Sequence, residues 1–309
     1  MNPMLWDFTL PGLGKVEFPA YMTMLIIGFA LATWLSRREE DRSGRNGDRI
    51  VDLALVCVIF GLLGARLLSV LADGHFHDFV NLCTNPKLVP ALDAKVGVCQ
   101  SDAQCGFDYL CDQATQRCYP PRDCLAPLKF WQGGLAFYGG LLLAAPAGLY
   151  YAWRKGLGIL RIADLVSPGI AYGLIFGRIG CFLNGCCYGE PTTMPWGVIF
   201  PPARDYPHPH VPVHPTQLYE AIGSLAIWAI LYWVVRPRTR RHGEVLAWFL
   251  IQYGTLRFLL EFLRDDERGA LLGISTSQWI GIPLVALGVW FLLSKRHDAP
   301  RPPAADPRV

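Results

Sequence analysis

Ile50–Leu71 reads IVDLALVCVIFGLLGARLLSVL. At about 1.5 Å of rise per residue, this apolar run is long enough to cross a hydrocarbon core of roughly 30 Å as a helix. Six further runs share its character: Ala20–Ser36, Gly134–Trp153, Ile162–Leu183, Thr216–Val235, Glu244–Leu263 and Thr276–Leu293. Short segments rich in Arg, Gly and Pro separate them. The expected fold is therefore an all-α polytopic membrane protein of about seven transmembrane helices. Composition agrees, since 17% charged residues falls well below the roughly 25% usual in soluble domains. The fourth run is the least regular, because Pro168 and several glycines interrupt it.

The basic residues give the expected orientation. Arg37, Arg38, Arg42, Arg45 and Arg49 follow the first run, and Arg154, Lys155 and Arg161 follow the third. Arg236, Arg238, Arg240 and Arg241 follow the fifth, and Lys295 and Arg296 the seventh. The short opposite loops are poorer, with Arg204 after the fourth run and Arg264 and Arg268 after the sixth. This alternation puts the N-terminus outside and the C-terminus in the cytoplasm. The first eighteen residues carry Pro, Asp and Glu and lack a basic start, so they do not read as a cleaved signal peptide. A formal net charge of +3 is too small to imply a nucleic-acid partner. The expected divisions are 1–72, a Cys-rich insert over 73–128, the remaining helices over 129–297, and a Pro- and Ala-rich tail from 298 onward.

The insert falls on the outer side. It holds Cys83, Cys99, Cys105, Cys111, Cys118 and Cys124, six of the ten cysteines. An even number of cysteines in a short outward-facing segment reads as a disulfide framework. Six cysteines allow fifteen pairings, and spacing does not choose among them. Zinc is the rival reading, although the segment contains no CxxC pair and His75 and His77 stand apart from the cysteines.

Several charges interrupt the apolar runs or lie at their edges: Arg66, Arg178, Glu220, Arg257 and Glu261. One arginine at the bilayer centre costs roughly 2.5–3.5 kcal/mol on insertion scales. Five such groups facing lipid would cost on the order of 10 kcal/mol, comparable to a domain's whole stability. They must face one another or a polar cavity. Arg257 and Glu261, four apart, share a helix face and can pair. The bland alternative is internal ion pairing that only holds the helices together.

Arg178 has an unusual setting, the run GRIGCFLNGCCYGEPT over Gly177–Thr192. Its glycines permit close backbone approach and irregular turns, which membrane depth tolerates only inside protein or along a wet cavity. The segment also carries Cys181, Asn184, Cys186, Cys187 and Gly189. Two further glycine clusters, Gly133–Gly140 and Gly61–Arg66, could join it or could simply pack helices closely. From these the candidate substrate-binding residues are Arg66, Gly133, Gly134 and Gly139, with Glu220 from HPTQLYE over His214–Glu220. Arginines grouped at a bilayer edge suit an anionic head group, because guanidinium makes bidentate bonds to phosphate and keeps its charge.

Gly177–Gly189, His214–Glu220 and GTLRFLLEF over Gly254–Phe262 together resemble the prolipoprotein diacylglyceryl transferase family. The likeness spans nearly all of the membrane portion, including GGLAFYGG over Gly133–Gly140, and omits the Cys-rich insert. It implies an enzyme of the bacterial cytoplasmic (inner) membrane with its active site toward the outer leaflet. Such an enzyme moves the diacylglyceryl group of phosphatidylglycerol onto the lipobox cysteine of a preprolipoprotein signal peptide, releasing glycerol phosphate and needing no metal or cofactor. The resemblance implies that Arg178 and Arg257 stabilise the departing phosphate, that Asn184 and Gly189 shape the pocket, and that Glu261 orients Arg257. Tyr21 matches a tyrosine the family uses near the lipid. This chain departs from the family pattern at Cys181, where the pattern has Asn, at Cys186, where it has Glu, and at Tyr138, where it has a histidine proposed as general base. Tyrosine hydroxyls are ordinarily poor bases, so His214 or Glu261 is the substitute to consider. Two other classes remain open on sequence: a non-catalytic anionic-lipid binder or carrier, and a thiol–disulfide oxidoreductase built on Cys181, Cys186 and Cys187.

Overall fold

The computed structural model describes residues 4–10, 14–72, 76–89, 99–102, 105, 109–128, 136–200, 210–265, 270–271 and 274–294. Candidate residues Gly133 and Gly134 and the tail from 298 onward lie outside them.

Each apolar run has become a helix. They are α1 (Ala20–Arg42), α2 (Asp48–Ala72), α4 (Phe137–Arg154), α5 (Ile159–Asn184), α6 (Thr216–Ala229), α7 (Glu244–Leu260) and α8 (Thr276–Leu293), with a short α3 (Phe76–Thr84) between α2 and α4. A π-helical turn, Ile230–Val235, carries α6 on to Arg238. By length and composition, five of these stretches can cross a membrane: Ala20–Arg42, Asp48–Leu71, Ile159–Asn184, Thr216–Arg238 and Glu244–Leu263. This makes the protein polytopic. Helix α5 runs unbroken through Pro168, although a proline there leaves the Asp164 carbonyl without its usual amide partner. Apolar solvent does not forbid such an interruption when neighbouring groups surround it, and Ser167, Pro168 and Gly169 are all buried. Among the described residues, three antiparallel hairpins interrupt the helical fold: β1 (Met4–Leu10) with β2 (Gly14–Pro19), β3 (Leu110–Asp112) with β4 (Arg117–Tyr119), and β5 (Ala270–Leu271) with β6 (Ile274–Ser275).

The chain divides into two compact units, Met1–Val51 with Gly156–Val309, and Asp52–Lys155. In the first, α1 packs on α5 through small residues. A Cβ on Gly28 would lie 2.9 Å from the Gly173 carbonyl oxygen, and one on Gly169 would lie 2.9 Å from that of Ala32. Close backbone approach of this kind substitutes for the hydrophobic drive that lipid cannot supply. Ala171, Ile227, Leu231, Val235, Val245 and Phe249 form a buried cluster. Asp164, fully buried, accepts from the Gly243 and Leu246 amides at 2.7 and 2.9 Å. These are donors that the start of α7 would otherwise leave without partners. Ion pairs tie the C-terminal end of α1 to two neighbours: Arg236, in the continuation of α6, lies 2.7 Å from Glu39, and Arg161, at the start of α5, donates to both oxygens of Glu40 at 2.8 Å. Several loop arginines of the sequence reading are therefore committed to carboxylates.

In the second unit α2 and α4 touch at Gly64 and Gly139, each of which would drive an added Cβ onto the other's carbonyl oxygen. Gly139 thus permits close packing of the two helices. Arg66 donates from Nε to the Pro127 carbonyl at 2.8 Å and from Nη2 to that of Ala126 at 2.6 Å, and its guanidinium lies 5.1 Å from the Phe79 ring centroid. The insert is stapled by Cys83–Cys124, Cys99–Cys111 and Cys105–Cys118. The disulfide reading therefore holds, and the zinc alternative falls because the thiols it needs are bonded to one another.

Candidate functional site

The buried charges of α5, α6 and α7 converge on one carboxylate. Glu220, on the second turn of α6, is fully buried. Its Oε1 lies 2.9 Å from Arg178 Nη2 on α5, and its Oε2 lies 3.6 Å from Arg257 Nη1 on α7. Tyr253 donates its hydroxyl to Glu220 Oε1 at 3.3 Å. Arg257 reaches the other way as well, donating from Nη2 to Glu261 Oε2 at 3.1 Å and to Ser277 Oγ at 2.9 Å. The pairing expected of Arg257 and Glu261 is present, although Glu261 sits in the 3-10 turn that ends α7. Tyr253, Arg257 and Glu261 follow one another at intervals of four, which lines all three on one helix face.

Two arginines and two glutamates cancel in formal charge. Arg264 adds a third guanidinium to the neighbourhood and is itself buried. Removing such charges from water costs several kcal/mol per ion unless they are paired and hydrogen-bonded. The site is arranged accordingly, with each carboxylate facing an arginine.

Beside this cluster the GRIGCFLNGCCYGE segment completes α5 and then, from Gly185, folds into a fixed loop. Gly185 takes φ 73° and ends α5 in the left-handed region, and Cys187 takes φ 66°. A non-glycine residue rarely adopts that conformation, so something must hold it. Thr216 Oγ1 donates to the Cys187 carbonyl at 2.8 Å, and Gln217 Nε2 donates to the Cys186 carbonyl at 2.7 Å. The HPTQ portion of the second motif is thus the clasp on the first. The Gly189 amide donates to the His214 carbonyl at 2.8 Å, and Gly189 bridges to Arg264. A Cβ on Gly189 would meet the Leu263 carbonyl oxygen, Thr216 Cγ2 and His214 Cβ. Only glycine fits where these strands cross.

His214 Nδ1 lies 3.1 Å from the Tyr219 hydroxyl, which also accepts from Trp196 Nε1 at 2.7 Å. The Cα of Tyr21, near the start of α1, would lie 3.2 Å from a Cβ on Gly180. This places Tyr21 against the last turns of α5. Hydrogen bonds from the Cys181 and Cys186 thiols, with Arg264 beside it, hold the Cys187 thiol well below the usual thiol range. Asn184 occupies the last residue of α5.

The first unit therefore brings together Arg178, Glu220, Arg257 and Glu261, with Gly189, His214, Tyr21 and Asn184 on the same or adjoining elements. Tyr138, Arg66 and Gly139 belong to the second unit, where Tyr138 is half exposed on the first turn of α4. The sequence reading missed Tyr253, Ser277 and Tyr219, and took Arg264 only as a loop charge. Tyr253 was signalled by its spacing, one turn before Arg257. Ser277 carried no local signal, because it approaches from a different helix.

These features define a polytopic membrane protein with an arginine–carboxylate site buried among its helices. A sequence model of prolipoprotein diacylglyceryl transferase matches residues 9–94 and 109–294, and the chain belongs to that family. The unmatched stretch between those segments falls within the Cys-rich insert. Among curated relatives, the phosphatidylglycerol–prolipoprotein diacylglyceryl transferase of Clostridium tetani is 31% identical over 290 residues, covering 94% of this chain and 96% of that protein. The protein of the same name from Vibrio atlanticus is 31% identical over 293 residues, 93% of this chain and 90% of that protein. That of Polynucleobacter asymbioticus is 40% identical over 177 residues, 56% of this chain and 66% of that protein.

Proposed function

We propose that the arginine–carboxylate site carries out lipid transfer at the outer leaflet of a bacterial inner membrane. The chain is a transferase of lipoprotein maturation, moving diacylglyceryl from phosphatidylglycerol to prolipoprotein. The acceptor is the lipobox cysteine of the signal peptide. In this reading the chain crosses the membrane seven times, with α4 and α8 supplying the spans beyond the five long ones. The N-terminus is outside and the C-terminus in the cytoplasm. Alternation of the basic loops supports that orientation, as does the disulfide-bonded insert, since disulfides persist in oxidising compartments.

Chemistry follows from the site. The acceptor thiol gives up its proton, its sulfur attacks the glycerol carbon that carries the phosphate ester, and the carbon–oxygen bond breaks. A thioether forms and glycerol phosphate leaves with the bonding electrons. Negative charge grows on the phosphate oxygens, and donors already aimed at that position lower the barrier most. Arg178 and Arg257 supply them, and Glu220 holds both guanidiniums in place before substrate arrives. Glu261 and Ser277 fix the far side of Arg257. Asn184 and Gly189 shape the pocket wall, with Tyr21 near the lipid. Arg264 keeps the cluster cationic once the two glutamates have cancelled two arginines. His214, tied through Tyr219 to Trp196, and Glu261 are the bases available in the first unit. Tyr138 is taken as a hydrogen-bonding partner of the glycerol or phosphate.

The observation that carries this reading is the convergence of Arg178 and Arg257 on buried Glu220 in a chain whose family match runs through all three helices. Purified protein incubated with phosphatidylglycerol and a lipobox peptide should yield a diacylglyceryl adduct on the peptide cysteine, detected by mass spectrometry. The adduct should be absent when that cysteine is serine. Folded, lipid-binding protein that makes no adduct would leave a binder instead.

A further inference from the structure

We propose that Cys181, Cys186 and Cys187 form a binding site for one thiophilic metal ion, zinc(II) or copper(I). Their Sγ atoms all lie within 4.8 Å of one another. Of the ten cysteines, six are consumed by the insert's disulfides, while Cys57 and these three remain as thiols. The triad is built by its backbone. Cys181 is buried on the last turn of α5, one turn before that helix ends. The left-handed residues Gly185 and Cys187 turn the chain back over it. Cys186 Sγ then approaches the Cys181 carbonyl oxygen at 3.7 Å. Gln217 and Thr216, both fully buried, hold the carbonyls of Cys186 and Cys187 from α6. Three thiols fixed in this way need little movement to share an ion.

Metal–sulfur bonds of about 2.3 Å place the sulfurs of a trigonal or tetrahedral thiolate site about 4 Å apart. The triad already approaches that spacing. On binding, each sulfur forms a sulfur–metal bond, any proton it still carries passes to solvent, and no oxidation state changes. Soft thiolate donors select zinc and cuprous ions over magnesium, calcium or manganese. A zinc ion would keep a fourth position for water, whereas a cuprous ion is satisfied by three sulfurs. The ion would sit on the loop clasped to α6, at the positions where the family pattern has Asn and Glu in place of Cys181 and Cys186. The inference does not depend on transfer activity.

Unreduced whole protein, purified in detergent under argon, is incubated separately with zinc(II) and with copper(I), desalted and assayed for bound metal. The metal-loaded and metal-free proteins are then alkylated with iodoacetamide and mapped by mass spectrometry. About one equivalent of retained metal is expected from at least one arm, with Cys181, Cys186 and Cys187 protected and Cys57 alkylated equally in both samples. The arm that retains metal after challenge with a competing chelator identifies the ion. Cys181→Ser should lose the retained equivalent, and Cys57→Ser should keep it. The proposal is overturned by equal alkylation of the three thiols with and without either metal, by metal retained undiminished in the Cys181→Ser protein, or by a native disulfide between any two of the three.

Discussion

Arg178 Nη2 lies 2.9 Å from Glu220 Oε1, inside a side-chain environment that leaves Glu220 1% exposed. Because Arg257 shares the same carboxylate at 3.6 Å, Glu220 is the counter-ion for two helices at once. Glu220→Gln keeps the shape and removes the charge, leaving two guanidiniums facing each other. Breaking a buried pair typically costs about 3–5 kcal/mol. Thermal unfolding in detergent should therefore show a lowered midpoint. Anionic phosphatidylglycerol should restore more stability to the variant than to the parent, because it replaces the lost negative charge. An unchanged midpoint would remove Glu220 from its bridging role.

Arg178→Ala and Arg257→Ala should each leave folded protein in the membrane yet lower transfer by about 10²–10³-fold, the usual loss for one preorganised donor aimed at developing charge. Lysine at either position keeps the charge but not the bidentate fork, and should recover only part of the rate. The readout is adduct formation at saturating lipid, with membrane content measured alongside. Near-normal turnover in either alanine variant would make the arginines structural ion-pair partners only.

Gly189→Ala tests the crossing of the two motifs. The added methyl would meet the Leu263 carbonyl oxygen, Thr216 Cγ2 and His214 Cβ, and forced overpacking commonly costs about 1–3 kcal/mol. The expected result is a loop that moves off α6, seen as faster alkylation of Cys186 and Cys187, together with reduced transfer. Unaltered alkylation and turnover would show that the loop tolerates the displacement.

Most of the fold was legible because lipid makes length and hydropathy almost sufficient. Each of the seven expected runs became a helix, and the last spans the expected residues Thr276–Leu293. Boundaries drifted where polar residues prolonged a helix beyond its apolar run, as in α1, which continues to Arg42 on the strength of ion pairs at Glu39 and Glu40. The N-terminal hairpin had no such signal. Within the site, Arg257 with Glu261 was readable from a spacing of four. The bond of Arg257 to Ser277 and its sharing of Glu220 with Arg178 depend on which helices become neighbours, information that no local window contains. Arg66 shows the same limit: its place in an apolar run was readable, whereas its bonds to the Ala126 and Pro127 carbonyls come from a segment some sixty residues away.

Tyr138 offers the last discriminating test. Its hydroxyl stands where the family pattern has a histidine, on the first turn of α4. If that hydroxyl hydrogen-bonds the substrate, Tyr138→Phe removes one bond worth about 0.5–1.5 kcal/mol, a loss of roughly two- to tenfold in turnover. If it instead moved the acceptor thiol's proton, the loss would be about 10²–10⁴-fold. Tyr138→His separates the two further. A histidine acting as base would give turnover that rises with pH as its imidazole loses its proton. A hydrogen-bonding role would leave the parent's pH profile unchanged. Turnover unaffected by Tyr138→Phe would place the hydroxyl outside the reaction and leave the proton to His214 or Glu261.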